Sequence, residues 1–197
     1  MRTWFTSDLH IGHRNIGKFR EIPEEFLEAA EGDGTLANTL WIQDFCKKNV
    51  TKRDVIYCLG DNIFTRDGLA DIACLPGRKI AYGGNHDDLH VDEYRKVFSD
   101  VRGCSRHKSG FWLSHFPIHE AELRGRFSVH GHVHYQSIPD YRYINVCCDN
   151  LQKNIGQPMI SIEDLKATID LRKETEGLDF YANNSRSIER LDGVGER

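Results

Sequence analysis

The sequence predicts an α/β fold, and three observations predict it. Between residues 2 and 98, short apolar strands alternate with helical stretches. Between residues 101 and 148, strands follow one another with little helix between them. Several of these strands run into a carboxylate, an amide or an imidazole, and strand ends are where ligands gather in sheet-and-helix folds. A chain of 197 residues is long enough for one sizeable core. The expected organisation is one domain over residues 1–176 and a polar C-terminal tail over 177–197.

Residues 2–7 predict a buried first strand, since Trp4 and Phe5 favour β structure. It leads into Asp8-Leu9-His10, where an extended backbone would set a carboxylate and an imidazole on one face. His13 and Asn15 follow in a loop punctuated by Gly12 and Gly17. Pro23-Glu24-Glu25 suits the first turn of a helix. After Gly32-Asp33-Gly34 a second helix is expected, with Thr35 as its N-cap and Leu36, Ala37, Leu40, Trp41 and Phe45 as its core stripe. Lys47, Lys48, Lys52 and Arg53 read as a solvated end.

Asp54–Leu59 predicts a second strand, apolar enough to be buried on both faces, running into Gly60-Asp61-Asn62. A short helix is expected over Gly68–Leu75. A third strand over Arg78–Tyr82 enters Gly83-Gly84-Asn85-His86-Asp87, a turn that presents an amide, an imidazole and a carboxylate in succession. Val91–Phe98 predicts a helix. Strands are then expected over Val101–Arg106, Phe111–His115, Phe127–His130 and Tyr143–Cys148. Ser161 and Asp164 form an N-cap signature for a last helix.

Composition narrows the functional classes. Hydrophobic content of 39% and charged content of 28% are ordinary for a globular protein. A net charge of -4 argues against a broad surface for nucleic acid, though not against a local basic site. No stretch reaches the apolar length of a membrane span, and Met1–Thr6 lacks the apolar core of a signal peptide. The six cysteines show no CxxC pair and no disulfide spacing, which points to reduced thiols and a cytoplasmic protein.

Ten histidines are present, and five of them fall in His115-Phe116-Pro117-Ile118-His119 and His130-Gly131-His132-Val133-His134. Histidine is the commonest metal ligand. Together with Asp8, His10, Asp61, Asn85 and His86 they provide the mixed nitrogen and oxygen inventory that two divalent ions sharing a carboxylate need. Such donors suit manganese foremost, then iron, zinc, nickel or cobalt, better than calcium or magnesium. A closed structural zinc site is disfavoured, because no cysteine ligand pair accompanies them.

The order Asp-x-His, Gly-Asp, Gly-Asn-His-Asp, strand-end His and Gly-His-x-His resembles the calcineurin-like metallophosphoesterase superfamily across residues 3–149. The wording Ser114-His115-Phe116-Pro117 and His130-Gly131-His132-Val133-His134 is similar to small single-domain bacterial and phage members. The resemblance implies a four-layer α/β/β/α sandwich of two mixed sheets. It implies one ion on Asp8, His10, Asp61 and His134 and a second on Asp61, Asn85, His115 and His132. It further implies His86 as the acid at the leaving oxygen, with Asp87 orienting it. The implied activity is hydrolysis of a phosphate mono- or diester by a metal-bridging hydroxide, without a covalent enzyme intermediate. The alternative is a silent scaffold that keeps the fold, which an intact Gly84-Asn85-His86-Asp87 disfavours.

His13, Arg14 and Asn15 lie close enough to the first donor block to be candidates for binding substrate phosphate. His119 and His130 are expected to support ligands or structure, and His90 and His107 to lie on the surface. With no obvious cap domain, small diesters, nucleotides and nucleic-acid ends all remain as partners. The loops Ile11–Arg20, Phe64–Asp71 and Ala121–Arg126 offer only scattered Arg and Lys to choose between them. Oligomeric state is not legible.

Overall fold

The computed structural model describes residues 1–175, and the tail expected over 177–197 lies outside them. One sheet is built from β1 (Thr3–Thr6), β2 (Val55–Cys58), β3 (Arg78–Tyr82), β4 (Asp100–Arg102) and β9 (Ile160–Ser161). Its order is β4-β3-β2-β1-β9, parallel from β1 to β4, with β9 antiparallel at the edge. The other sheet takes β5 (Cys104–Arg106), β6 (Trp112–Ser114), β7 (Ser128–His130) and β8 (Tyr143–Asn145) in sequential order, with only β5 antiparallel. Both sheets are mixed, as expected.

Successive strand residues face opposite sides, and that period sorts the apolar residues into two cores. Trp4, Ile56, Cys58 and Ala81 face the core under the helices. There they meet Ala37, Trp41, Ile42 and Phe45 of α3 (Gly34–Asn49) and Leu69 and Ile72 of α4 (Gly68–Ala73), with α2 (Glu24–Ala29) alongside through Phe26 and Leu27. Phe5, Val55, Ile80 and Tyr82 face the other way and meet Leu113, Val129 and Ile144 between the sheets. Each such fully buried side chain contributes about 1.5–3 kcal/mol, so sheet-on-sheet docking carries much of the stability. Leu151 of α7 (Cys148–Ile155) and Leu165 and Ile169 of the helix from residue 162 join that core. The Tyr143 hydroxyl donates to the Ile118 carbonyl at 2.6 Å, just before the single turn α6 (Glu120–Leu123).

Local chemistry redraws several expected boundaries. Asp33, not Thr35, caps α3, its carboxylate accepting the N–H groups of Thr35 and Leu36. Leu36 is 46% exposed, outside the buried stripe. The expected strand Val101–Arg106 is cut at Gly103 and shared between β4 and β5, one piece in each sheet. The expected helix Val91–Phe98 shrinks to α5 (Val91–Tyr94), because the N–H and hydroxyl of Ser99 both bond the Lys79 carbonyl and draw the chain back to β3. The strand expected to reach Cys148 stops at Asn145, whose side-chain oxygen accepts the Cys147 N–H at 2.8 Å and turns the chain into α7. A further turn, α1 (Ile16–Phe19), follows Asn15. Ser161 does cap the last helix, its hydroxyl accepting the Asp164 N–H and donating to the Asp164 carboxylate. His107 is not a surface residue: it is buried, stacked on Phe111 at 4.8 Å and edge-on to Phe5 and Tyr57.

Candidate metal centre

The expected donors sit just past the ends of parallel strands from both sheets. Asp8 and His10 follow β1, Asp61 follows β2 and Asn85 follows β3. His115 follows β6, and His132 and His134 follow β7. The two strand ends are tied together where Ser7 bridges Cys147 and its carbonyl accepts the Cys148 N–H.

Turning side chains inward from strand ends costs backbone freedom. Among the described residues, seven non-glycine residues have positive φ, and five of them are expected ligands: Asp8, His10, Asp61, His132 and His134. L residues avoid this region, and such strain clusters where surrounding structure enforces a functional geometry. Two glycines permit the crowding. A Cβ at Gly84 would overlap the Asp61 carboxylate, and one at Gly131 would overlap Ser7 and Asp8.

The donors fall into two groups. In the first, Asp8 Oδ1 lies 3.7 Å from His10 Nε2 and 3.9 Å from His134 Nε2, and His10 Nε2 lies 3.9 Å from Asp61 Oδ2. In the second, Asp61 Oδ1 lies 3.6 Å from His115 Nε2, while Asn85 Oδ1 lies 2.9 Å from both His115 Nε2 and His132 Nδ1. Asp8, Asp61 and His115 also offer atoms within 4.8 Å of one another, so Asp8 reaches toward both groups.

Supporting hydrogen bonds fix which imidazole nitrogen faces inward. His115 Nδ1 sits 2.9 Å from the Leu59 carbonyl, which can only accept, so Nδ1 carries the proton and Nε2 presents a lone pair. His134 Nδ1 likewise donates to Asp149 Oδ2 at 2.6 Å. Orienting partners of this kind are the usual support of metal-binding histidines. Asp8 Oδ1 and His10 Nε2 are buried with no hydrogen-bond partner. Buried polar atoms without partners are costly. Lone pairs converging on one another are reconciled by a cation. The donor set fits divalent ions.

Asp8 and Asp149 are held ionised. Burial pushes the Asp8 carboxyl up, but the neighbouring His10 and His115 imidazoles, with Ser7 and Cys147, hold it well below the usual range. Asp149 is brought down to about 2: burial opposes this, and the His134 and Arg20 contacts outweigh it. His134 is raised, first by its bond to Asp149. Burial keeps the Cys147 thiol, 3.1 Å from Asp8 Oδ2, protonated.

Arg20 and Asp149 escaped the sequence reading. The buried Arg20 guanidinium bonds Asp149 Oδ1 through Nε at 2.6 Å and, through its other nitrogens, the Leu9 and Asp8 carbonyls and Asn38 Oδ1. A buried ion survives only when paired this fully, and this one braces the loop that carries Asp8 and His10. The two residues are 129 positions apart, and no local pattern links them.

The remaining candidates are placed as follows. His86 is exposed at the rim of the first group, its ring 6.3 Å from His10 and 5.1 Å from Phe64, and its N–H donates to Asp61 Oδ1. Asp87 does not hold the His86 ring. Its oxygens accept from Asn62 N–H, Gly84 N–H, the Asn62 amide and the Tyr94 hydroxyl, so it pins the loop instead. His13 lies 5.6 Å from the His10 ring and accepts the Asn15 N–H, while Arg14 and Asn15 are exposed beside it. His119 caps α6, and His130 is buried, its pKa pushed down to about 4 by burial.

Two mixed sheets with histidine and carboxylate donors at their strand ends are the architecture of a metallophosphoesterase. The chain belongs to the calcineurin-like phosphoesterase family, whose sequence pattern matches residues 1–181. It is 32% identical to the gene 66 protein of Mycobacterium phage L5, aligned over 67% of this chain and 77% of that protein. The gene 66 protein of Mycobacterium phage D29 is also 32% identical, over 66% and 77%. A protein of unknown function from Aquifex aeolicus shares the fold, with a TM-score of 0.60 at 24% identity over 84% of this chain and 98% of that one. No described helix is long and apolar enough to cross a membrane.

Proposed function

We propose that this phosphoesterase works with two divalent ions, one on Asp8, His10, Asp61 and His134, the other on Asp61, Asn85, His115 and His132. The observation that carries the reading is Asp61, whose Oδ2 turns to His10 and Oδ1 to His115, so one carboxylate faces both groups. When bound, such ions supply a nucleophile from water near neutral pH and neutralise charge on the phosphoryl oxygens. Nitrogen and oxygen donors together favour manganese, with iron, zinc, nickel or cobalt as alternatives.

The protein's own groups do the rest. Asn85 contributes a neutral oxygen, which limits negative charge where an anionic substrate must approach. His86 stands exposed at the rim with its backbone anchored on Asp61, placed to give its ring proton to the departing alkoxide. His13, Arg14 and Asn15 border the first group and take the substrate phosphate. Substrates are phosphate mono- or diesters, with nucleotide or nucleic-acid derivatives fitting the open rim. Six unpaired cysteines fit a reducing compartment, so the working location is the cytoplasm. The test is elemental analysis after controlled loading, in parallel with turnover of a small diester. Two ions per chain with metal-dependent turnover are expected, and saturation at one ion would sink the dinuclear reading.

A further inference from the structure

The donors do not account for the wall beside the first group. Residues 9–20 contain no carboxylate, although the whole chain carries a net charge of -4. This loop packs on the one after β2 through an Ile11–Ile63 bridge and a Phe64 N–H bond to the Ile11 carbonyl at 2.8 Å. These two loops expose Arg14, Lys18 and Arg66, and among the described residues none of the three is held in a close ion pair, Arg66 meeting only the longer-range attraction of Glu93. The same two loops carry aromatic rings. Phe64 stacks on His10 at 4.8 Å and meets His13 at 4.5 Å, and Phe19 lies 6.3 Å from His13 while 66% exposed. At the second group, Phe116 is 49% exposed and lies 4.6 Å from His132.

Cations alternating with exposed aromatic faces are what single-stranded nucleic acid requires: charges for successive phosphates and rings for unpaired bases. A duplex keeps its bases stacked inside and offers no such faces. We propose that the wall of Arg14, Lys18, Phe19 and Arg66 is a groove for single-stranded nucleic acid, which leads a phosphodiester across the donors toward Phe116. Phe19 stacks a base next to the reacting phosphate, which Arg14 helps to hold, and Lys18 and Arg66 take flanking phosphates. The placement of that phosphate rests on the function proposed above.

The groove is tested by binding. A labelled phosphorothioate oligonucleotide of about 12 residues, within the span of known single-strand sites, is titrated against the metal-loaded protein by anisotropy. F19A is expected to weaken binding about tenfold, with F19W restoring it, which separates stacking from loss of fold. K18Q/R66Q should lower the slope of log affinity against log salt by about 1.4, two single-strand phosphate contacts at about 0.7 each. Unchanged binding in F19A, or equal affinity for a duplex or a single nucleotide, would overturn the groove. Hydrolysis of bis(nitrophenyl) phosphate by the unaltered protein separates the two readings. Turnover without oligonucleotide binding removes the groove alone, whereas binding without turnover leaves the groove standing and removes the phosphoesterase mechanism.

Discussion

The two donor groups share Asp61 but are built differently. Asp8 and His10 in the first are buried, and behind them stands an Arg20–Asp149 pair that reaches His134. The second presents Asn85 on an exposed turn and His132 partly exposed, as His134 is in the first, and apart from the shared Asp61 only His115 is deeply buried, its Nδ1 held by one carbonyl. The first group is braced from inside the protein, and the second opens to solvent. This contrast suits a site that keeps one ion while the other meets substrate and exchanges more readily.

The largest effect should come from the residue common to both. Asp61→Asn is expected to weaken both ions together and lower turnover about 10³-fold or more, on the scale of losing transition-state charge stabilisation. His115→Ala should empty the second group and leave the first. Loss of one ion only from Asp61→Asn would break the shared-carboxylate picture. His86→Ala comes next: it should keep both ions and lose about 10²-fold on alkyl or nucleoside esters, with a smaller loss on nitrophenyl esters, whose leaving group needs no proton. Equal losses across leaving groups would make His86 a phosphate-positioning group instead.

Asp149→Asn tests the brace itself. Losing an orienting partner typically weakens metal binding about 10–100-fold, and here the loss should fall on the first group. The variant also strands the buried Arg20 charge, so denaturant unfolding should show a loss of about 3–5 kcal/mol. Equal weakening of both groups in ion titrations would erase the contrast between them. The smallest effect lies away from both groups. Burial, then the charges of Lys108 and Lys166, lowers His107 from the ordinary 6.5 to about 4. The unfolded chain therefore binds more protons in that window, so stability is complete above pH 6.5 and falls as pH drops toward 4. His107→Phe should flatten that part of the melting profile by up to about 3 kcal/mol, whatever the metal content.

The donors were legible because each follows a strand end, where a short motif fixes the local backbone. Their supports were not. Arg20 and Asp149 meet only after both sheets have docked. His107 reads as surface between Arg106 and Lys108, and its burial is decided by Phe5 and Phe111 from other strands. The family likeness pairs Asp87 with His86, yet its carboxylate turns to the Asn62 backbone and Tyr94. The two mixed sheets were foreseen from the family likeness. The cut at Gly103 was not, since the run from Val101 to Arg106 has one uniform strand pattern and its division is settled by pairing partners.

Each donor group draws on both sheets, the first taking His134 from the second sheet and the second taking His115 and His132. An ion there is a cross-link between halves of the chain far apart in sequence, comparable to a disulfide that forms only after folding. Occupancy would then add to the apolar contacts that dock the sheets. Every tenfold excess of free ion over its dissociation constant would add about 1.4 kcal/mol to the folded state, and a chelator is expected to lower the melting temperature as well as turnover.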